Sequence, residues 1–261
     1  MAQEIELKLA VPDAAAAAAL VAWLDANARA VGESHLLNVY FDTPAHELAQ
    51  ARAALRLRRD GTRWLQTLKT AGRSEAGLAT RNEWESEVAG EALEPERLET
   101  EARTLLEPLL GRLQPVFRTD FVRRTWRLRC PLTGADGTQA GTGIEAEIEA
   151  ALDAGEIAAV AQDGTTPASA SASASASASA SASASASASA SAAARETIHE
   201  LELEWLSGDP SQAAATLRAL GERLGAVAAL TPSERSKAAR GYALARQAGQ
   251  ADQAGSPAGA A

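Results

Sequence analysis

The sequence predicts an α+β fold, an eight-stranded antiparallel β-barrel with flanking α-helices. Three observations carry that expectation. Eight or so segments read as strands with one polar face, most of them alternating apolar and charged residues. Most are joined by local connections, with Asp60-Gly61 the strongest hairpin signal. The charged faces are sorted by sign from strand to strand, whereas a sandwich would turn its apolar faces inward. A barrel places those charges in a shared interior and leaves the apolar faces for covering helices.

In the first strand, Glu4, Glu6 and Lys8 alternate with Ile5, Leu7 and Leu9. Pro12-Asp13 opens an Ala-rich helix to about residue 30, with Asp13 as cap and Leu20, Trp23, Leu24 and Val31 at helical spacing. Leu37–Thr43 is the second strand, and Ala54–Arg59 and Arg63–Lys69 flank the Asp60-Gly61 turn. Thr80–Val88 alternates as the fifth. Pro95–Leu113 is predicted as an amphipathic helix with Leu98, Leu105, Leu106, Leu109 and Leu110 on or near one side. Val116–Cys130, Gly143–Leu152 and Ile198–Leu206 are the remaining strands. A helix follows through Leu224, and a last one runs from Pro232 past Tyr242.

Ala168–Ala194 is almost entirely alternating Ser and Ala. Such a segment has no large apolar face to bury, so nothing repays its ordering entropy, and it is expected to be a flexible surface insertion between two strands. Residues 246–261 are also poor in core formers and are expected to form a disordered tail. The expected organisation is one domain over residues 1–245, interrupted at 168–194.

Met1 is the only methionine and Cys130 the only cysteine, so no disulfide can form within the chain, which fits a reducing compartment. No apolar stretch approaches the ~18 to 20 residues that span a bilayer. A cytoplasmic protein with no membrane partner is expected. The net charge of −9 argues against general nucleic-acid binding, though it leaves room for a locally basic pocket. Of the 25 Lys and Arg residues only Lys8, Lys69 and Lys237 are lysines.

Residues two apart on a strand point the same way. The acidic faces carry Glu4 and Glu6; Glu83, Glu85 and Glu87, beginning with Arg81; Glu145, Glu147 and Glu149 with Asp153 in phase; and Glu200, Glu202 and Glu204. The basic faces carry Arg56 and Arg58, Lys69 beside Thr67, and Arg123, Arg127 and Arg129. Any one of these reads as the solvated face of an antiparallel sheet. Sorting by sign across seven strands points to a site. Crowded carboxylates need neutralising, and an all-oxygen set suits Mg²⁺ or Mn²⁺ better than Zn²⁺; His35, His46 and His199 are scattered. The basic strands suit a small polyanionic substrate, since Arg offers paired contacts to phosphate oxygens and Lys a compact charge. A linear triphosphate fits between them.

Glu4-Ile5-Glu6-Leu7-Lys8 is an ExExK motif. It is followed in order by Asn38–Thr43, Ala54–Arg58, Thr67–Lys69, Arg81–Glu85, Glu200–Glu204 and Ser236–Tyr242. This series resembles the CYTH domain of the triphosphate tunnel metalloenzyme family over roughly residues 1–245, without the Ser-Ala insertion. Thr119–Arg123, Ala151–Glu156 and Leu206–Asp209 resemble the bacterial inorganic triphosphatase branch. The resemblance implies an antiparallel tunnel, Mg²⁺ or Mn²⁺ held by glutamates, and metal-assisted attack of water on a terminal phosphoryl group. By position, Glu4, Glu6, Glu147, Glu149, Asp153, Glu200 and Glu202 look like metal ligands or their close neighbours. Lys8, Arg56, Arg58, Lys69, Arg123 and Lys237 look like the phosphate-binding set. Lys8 and Glu149 are expected to take part in the chemistry, Glu149 as one candidate on its strand to accept the water's proton. Thr125 departs from the branch, which carries a basic residue there.

Three other activities stay open: a thiamine or nucleoside triphosphatase, a class IV adenylate cyclase, and a non-catalytic polyphosphate-binding module. A cyclase needs a nucleobase platform, for which no clear aromatic residues stand out. A binding module would have lost acidic strands, and all are intact. Oligomeric state is left open.

Overall fold

Both faces of the first strand, β1 (Ala2–Ala10), are buried: Leu7 and Leu9 on one side, Glu4, Glu6 and Lys8 on the other. A strand with a carboxylate face out of water needs other charged strands to face it, and the barrel supplies them. The computed structural model describes residues 2–70, 72–132, 145–160 and 194–255. The Ser-Ala segment up to residue 193 and residues 256–261 lie outside the described residues.

The long strands are β2 (Arg29–Asp42), β3 (Ala54–Asp60), β4 (Arg63–Lys69), β6 (Leu78–Val88), β7 (Gln114–Pro131), β8 (Glu145–Ala159) and β9 (Arg195–Ser207). Two short ones, β5 (Arg73–Glu75) and β10 (Thr231–Pro232), attach to β6 and β1. Every pairing is antiparallel. The order β1–β9–β8–β7–β2–β3–β4–β6 returns to β1 through the β1–β6 pair, closing an eight-stranded barrel. Closure satisfies the backbone groups that a long open edge would expose.

Helices cover the outer apolar faces. In α1 (Ala14–Asn27) the Asp13 carboxylate accepts the Ala16 N–H at 2.8 Å, and Leu20 and Leu24 are fully buried. Together with α4 (Ala213–Gly225), α1 covers Leu7, Trp126, Ile148, Leu201 and Leu203 in the largest core. Each such side chain contributes roughly 1.5–3 kcal/mol on burial. Two shorter helices, α2 (Glu47–Gln50) and α3 (Thr100–Leu106), lie over Leu55, Leu68 and Trp84.

The last helix, α5 (Lys237–Gly255), packs differently. Its Tyr242 and Leu244 cluster with Phe117, Phe121, Ile157 and Ile198. These four share strand parity with Thr119, Arg123, Asp153 and Glu200, so they belong to the inner face. Gly241 permits the approach, because a methyl group there would lie 2.2 Å from the Phe117 ring. Phe117 in turn stacks on Tyr40 at 4.3 Å and meets the Tyr242 ring edge at 5.1 Å. The interior is therefore charged along part of its length and filled by an apolar plug elsewhere. The expectation that every apolar residue faces outward is corrected here.

Other elements depart from the sequence reading. The predicted helix over 95–113 is three pieces: a 3-10 turn at Pro95–Arg97, then α3, then a second turn at Leu110–Arg112. Leu98 is extended and buried, and Pro108 cannot donate to Thr104, which ends the helix. Leu105 and Leu110 are exposed rather than on a buried stripe. β2 begins at Arg29, so Val31 is an exposed strand residue, the extra one at a bulge against β7 between Ala30 and Gly32, rather than part of α1. Pro232 pairs with Leu9, and α5 starts only at Lys237, where Ser236 Oγ accepts the Ala239 N–H at 3.1 Å. α5 runs to Gly255, ten residues into the expected tail. Among the described residues no helix is long and apolar enough to cross a membrane.

Candidate active site

The acidic strands are scattered in the chain but adjacent in the barrel, in the order β6–β1–β9–β8. The other half of the circle, β7–β2–β3–β4, carries Arg123, then Asn38 and Tyr40, then Arg56 and Arg58, then Lys69. An acidic wall thus faces a basic one across a cavity of about 820 Å³. Two cations, Lys8 and Arg81, are embedded in the acidic wall.

Glu202 is the hub. Lys8 donates to it at 2.7 Å, Lys237 at 3.1 Å, and Arg123 also contacts it. Burial would raise its carboxyl, but Lys237, Lys8 and Arg123 hold it well below the usual range. Burial would likewise depress Lys8, yet Glu202, Glu6 and Glu200 keep it raised and cationic. Asp153, wholly buried, takes two hydrogen bonds from Arg123, at 2.8 and 2.7 Å, and lies 2.6 Å from Lys237 Nζ. Glu200 is bound by Lys237 and, at 2.9 Å, by Arg240. At the other end of the wall Glu4 accepts from Lys69 at 2.8 Å and from Arg81 at 2.8 Å, and Arg81 reaches Glu6. Burial works against ionised Glu4, but Lys69 and Arg81 outweigh it and lower its pKa.

Two groups are left unbalanced, on opposite walls. The Glu204 carboxylate makes no ion pair or hydrogen bond among the described residues. Burial, then the charges of Glu4, Glu149 and Glu83 against partial relief from Lys69, push it up to about 7. Across the cavity, Arg58 donates to Asn38 Oδ1 at 2.8 Å but meets no carboxylate within ion-pair distance among the described residues. Burial and the neighbouring Arg56 and Arg123 push it down to about 9. Tyr40 lies among these cations. Burial would raise its phenol, while Arg56, Arg58 and Lys237 bring it below the ordinary value. The acidic wall lacks positive charge at Glu204, and the basic wall lacks an anion at Arg58.

Carboxylate oxygens of Asp153, Glu200 and Glu202 come within 4.8 Å of one another, a spacing open to a cation. All three are already bound by Lys237, Lys8, Arg123 or Arg240. Glu204, repelled by Glu4, Glu149 and Glu83, is the carboxylate left without a cation of its own. These groups offer only oxygen donors, which fits a hard divalent cation.

The CYTH domain family model matches residues 2–242. The chain belongs to the CYTH family. An inorganic triphosphatase of Haemophilus influenzae is 32% identical over 123 residues, which is 47% of this chain and only 31% of that relative. HpAC1 from Hippeastrum, described as having a dominant triphosphatase activity, superimposes with a TM-score of 0.53. It covers 92% of this chain and 95% of its own at 18% identity, a likeness of fold.

Within this CYTH tunnel, Glu4, Glu6, Lys8, Arg56, Arg58 and Lys69 line the cavity, as do Arg123, Glu149, Glu202 and Lys237. Asp153 and Glu200 stand behind Lys237 rather than on the lining. Glu147 shares the parity of Glu149 but sits beyond the lining, in register with Arg129 on β7, which is exposed. Thr125 is followed two residues on by Arg127, which holds Glu149 at 2.9 Å. Arg81, Glu83, Glu204 and Tyr40 line the cavity without having been singled out as site residues. Strand parity had already placed the first three on charged faces, and Tyr40 is in phase with Asn38.

Proposed function

We propose that this CYTH protein hydrolyses inorganic triphosphate to diphosphate and phosphate inside the tunnel, in a reaction dependent on Mg²⁺ or Mn²⁺, in the cytoplasm. The observation that carries this reading is the pair of opposite unmet demands at Glu204 and Arg58. A polyanion with its divalent cation answers both at once. The name of the Haemophilus influenzae relative supports the same substrate, and the intact acidic wall favours catalysis over mere polyphosphate binding.

Arg58, Arg56 and Arg123 would grip the phosphate oxygens, with paired N–H contacts that fix the chain's direction. Lys8 is held by Glu202 at 2.7 Å and remains cationic, so it can stabilise charge on the transferred phosphoryl group without reorganising. Lys237, bound by Asp153, Glu200 and Glu202, anchors the inner end of the site. Glu204, Glu4 and Glu149 would hold a divalent cation, with Asp153, Glu200 and Glu202 as a second set. When bound, such a cation withdraws charge from phosphate oxygens and makes water a better nucleophile at neutral pH. Glu149, which meets Arg127 and lines the cavity, would accept the proton of the attacking water.

Phosphate release from tripolyphosphate, ATP, thiamine triphosphate and long-chain polyphosphate, each with Mg²⁺, Mn²⁺ or EDTA, tests the proposal. Tripolyphosphate should be preferred by at least ~10-fold in kcat/KM, about 1.4 kcal/mol of transition-state binding. EDTA should abolish turnover. Equal turnover of an organic triphosphate, or activity that survives EDTA, would overturn it.

A further inference from the structure

Arg52 also lines the cavity but belongs to none of the contacts described so far. It lies in the loop between α2 and β3 with φ of 54°, a left-handed conformation in which a Cβ is strained and glycine is not. The loop is held there from beneath. Asp42, wholly buried, accepts the N–H groups of Thr43, Leu48 and Ala49 at 2.7, 2.9 and 2.9 Å. Arg52 N–H donates to Ala49 O at 3.0 Å and Ala53 N–H to Leu48 O at 2.8 Å. The side chain is exposed and has no ion pair among the described residues. The same cavity is lined by methyl groups, Ala49 from α2, Ala53 from the Arg52 loop, and Ala238 and Ala239 from α5. Strain retained at a cavity mouth, where glycine would relieve it, points to use of the side chain.

We infer that Arg52 sets chain-length specificity by binding an outer phosphate of a polyphosphate longer than three units. Arg58 and Arg56 are two residues apart on β3, ~6.6 Å at strand rise, and Arg52 comes two residues before that strand's first residue, Ala54. All three line the same cavity, Arg56 and Arg58 half-buried in its basic wall and Arg52 exposed. The inference rests on the polyphosphate reading of the tunnel. It differs from that reading in placing a further binding step outside the central site.

Parent, Arg52→Gly and Arg52→Lys proteins are compared for turnover and calorimetric binding of tripolyphosphate and tetrapolyphosphate, with melting temperatures taken alongside. Arg52→Gly should raise KM and Kd for tetrapolyphosphate by ~10-fold and those for tripolyphosphate by a clearly smaller factor, with kcat little changed. Its melting temperature should be no lower than the parent's, since glycine accepts the backbone conformation. Arg52→Lys should fall between, keeping charge but losing the paired contact. An equal loss for both chains, or no loss for tetrapolyphosphate, overturns the inference. A parent that binds tetrapolyphosphate through Arg52 yet hydrolyses neither chain overturns the hydrolytic proposal and leaves Arg52's role standing. A parent that binds neither overturns both.

Discussion

Arg123 and Asp153 stand opposite each other on β7 and β8 and are joined by two hydrogen bonds, Nε to Oδ1 at 2.8 Å and Nη2 to Oδ2 at 2.7 Å. Asp153 has no exposed surface, and Lys237 shares its Oδ2. With Glu202, it is the counter-charge shared by the two cations in the interior. Asp153→Asn keeps the shape and removes the charge. Breaking a buried pair from one side costs about 3–5 kcal/mol. At roughly 2–4 °C per kcal/mol for a domain of this size, the melting temperature should drop by about 6–20 °C. A change of under ~2 °C in a thermal scan would show that the two cations are neutralised elsewhere.

Glu204 yields a prediction with opposite signs in two buffers. In EDTA its charge is repelled by Glu4, Glu149 and Glu83, so Glu204→Gln should raise the melting temperature. With Mg²⁺ present the order should reverse, because the parent holds the cation more tightly. Saturation at ~100 Kd stabilises the parent by about 2.7 kcal/mol. If Mg²⁺ shifts both proteins equally, Glu204 takes no part in binding the cation.

For Arg58 the direction of the shift, down to about 9, means that the folded protein resists its charge. The guanidinium stays protonated at neutral pH and therefore demands an anion. Folding binds fewer protons at this group between its folded value and the ordinary arginine value, so its cost is full below about pH 9 and lessens above it. Arg58→Gln should leave the unliganded protein as stable as the parent or more so. It should also lose most of the melting-temperature gain that tripolyphosphate gives the parent, and ~10²-fold in kcat/KM. An undiminished tripolyphosphate gain in the variant would remove Arg58 from the binding set.

Strand parity made much of this site legible, because a period of two fixes which residues share a face whatever the strand pairs with. Glu4 with Lys8, Arg56 with Arg58, and Glu200 with Glu204 were all placed that way. Parity says nothing of depth along the barrel, which is why Glu147 reads like Glu149 yet lies beyond the cavity lining. Nor does it reveal wall order. β1 pairs with β6 and β9 across long stretches of chain, so the acidic β6 and β1 meet the acidic β9 and β8 only in the folded barrel. The place of α5 was illegible for a related reason. Phe117 and Phe121 share the parity of Arg123, which puts them on the inner face, but nothing in the strand pattern shows that a helix enters the barrel to cover them. Arg52 carries no sequence signal at all, since its strain is a property of the backbone.

The plug formed by α5 makes the last prediction. Gly241 lies against Phe117, where a Cβ would come 2.2 Å from the ring, and Phe117 cannot retreat because Tyr40 is stacked behind it at 4.3 Å. Gly241→Ala gains up to ~1 kcal/mol of helix propensity but overpacks this contact at a cost of about 1–3 kcal/mol. To relieve the clash α5 must shift, and Lys237, one turn before Gly241 on the helix, shifts with it off its seat at Asp153 and Glu202. A lower melting temperature and a loss of at least ~10-fold in kcat/KM are expected, since small misplacements of binding groups are costly. Gly249→Ala on the same helix is the control: nothing lies within 4 Å of its added methyl. It should stabilise the protein and leave turnover alone. Identical behaviour of the two variants would mean that α5 does not position Lys237 through its contact with Phe117.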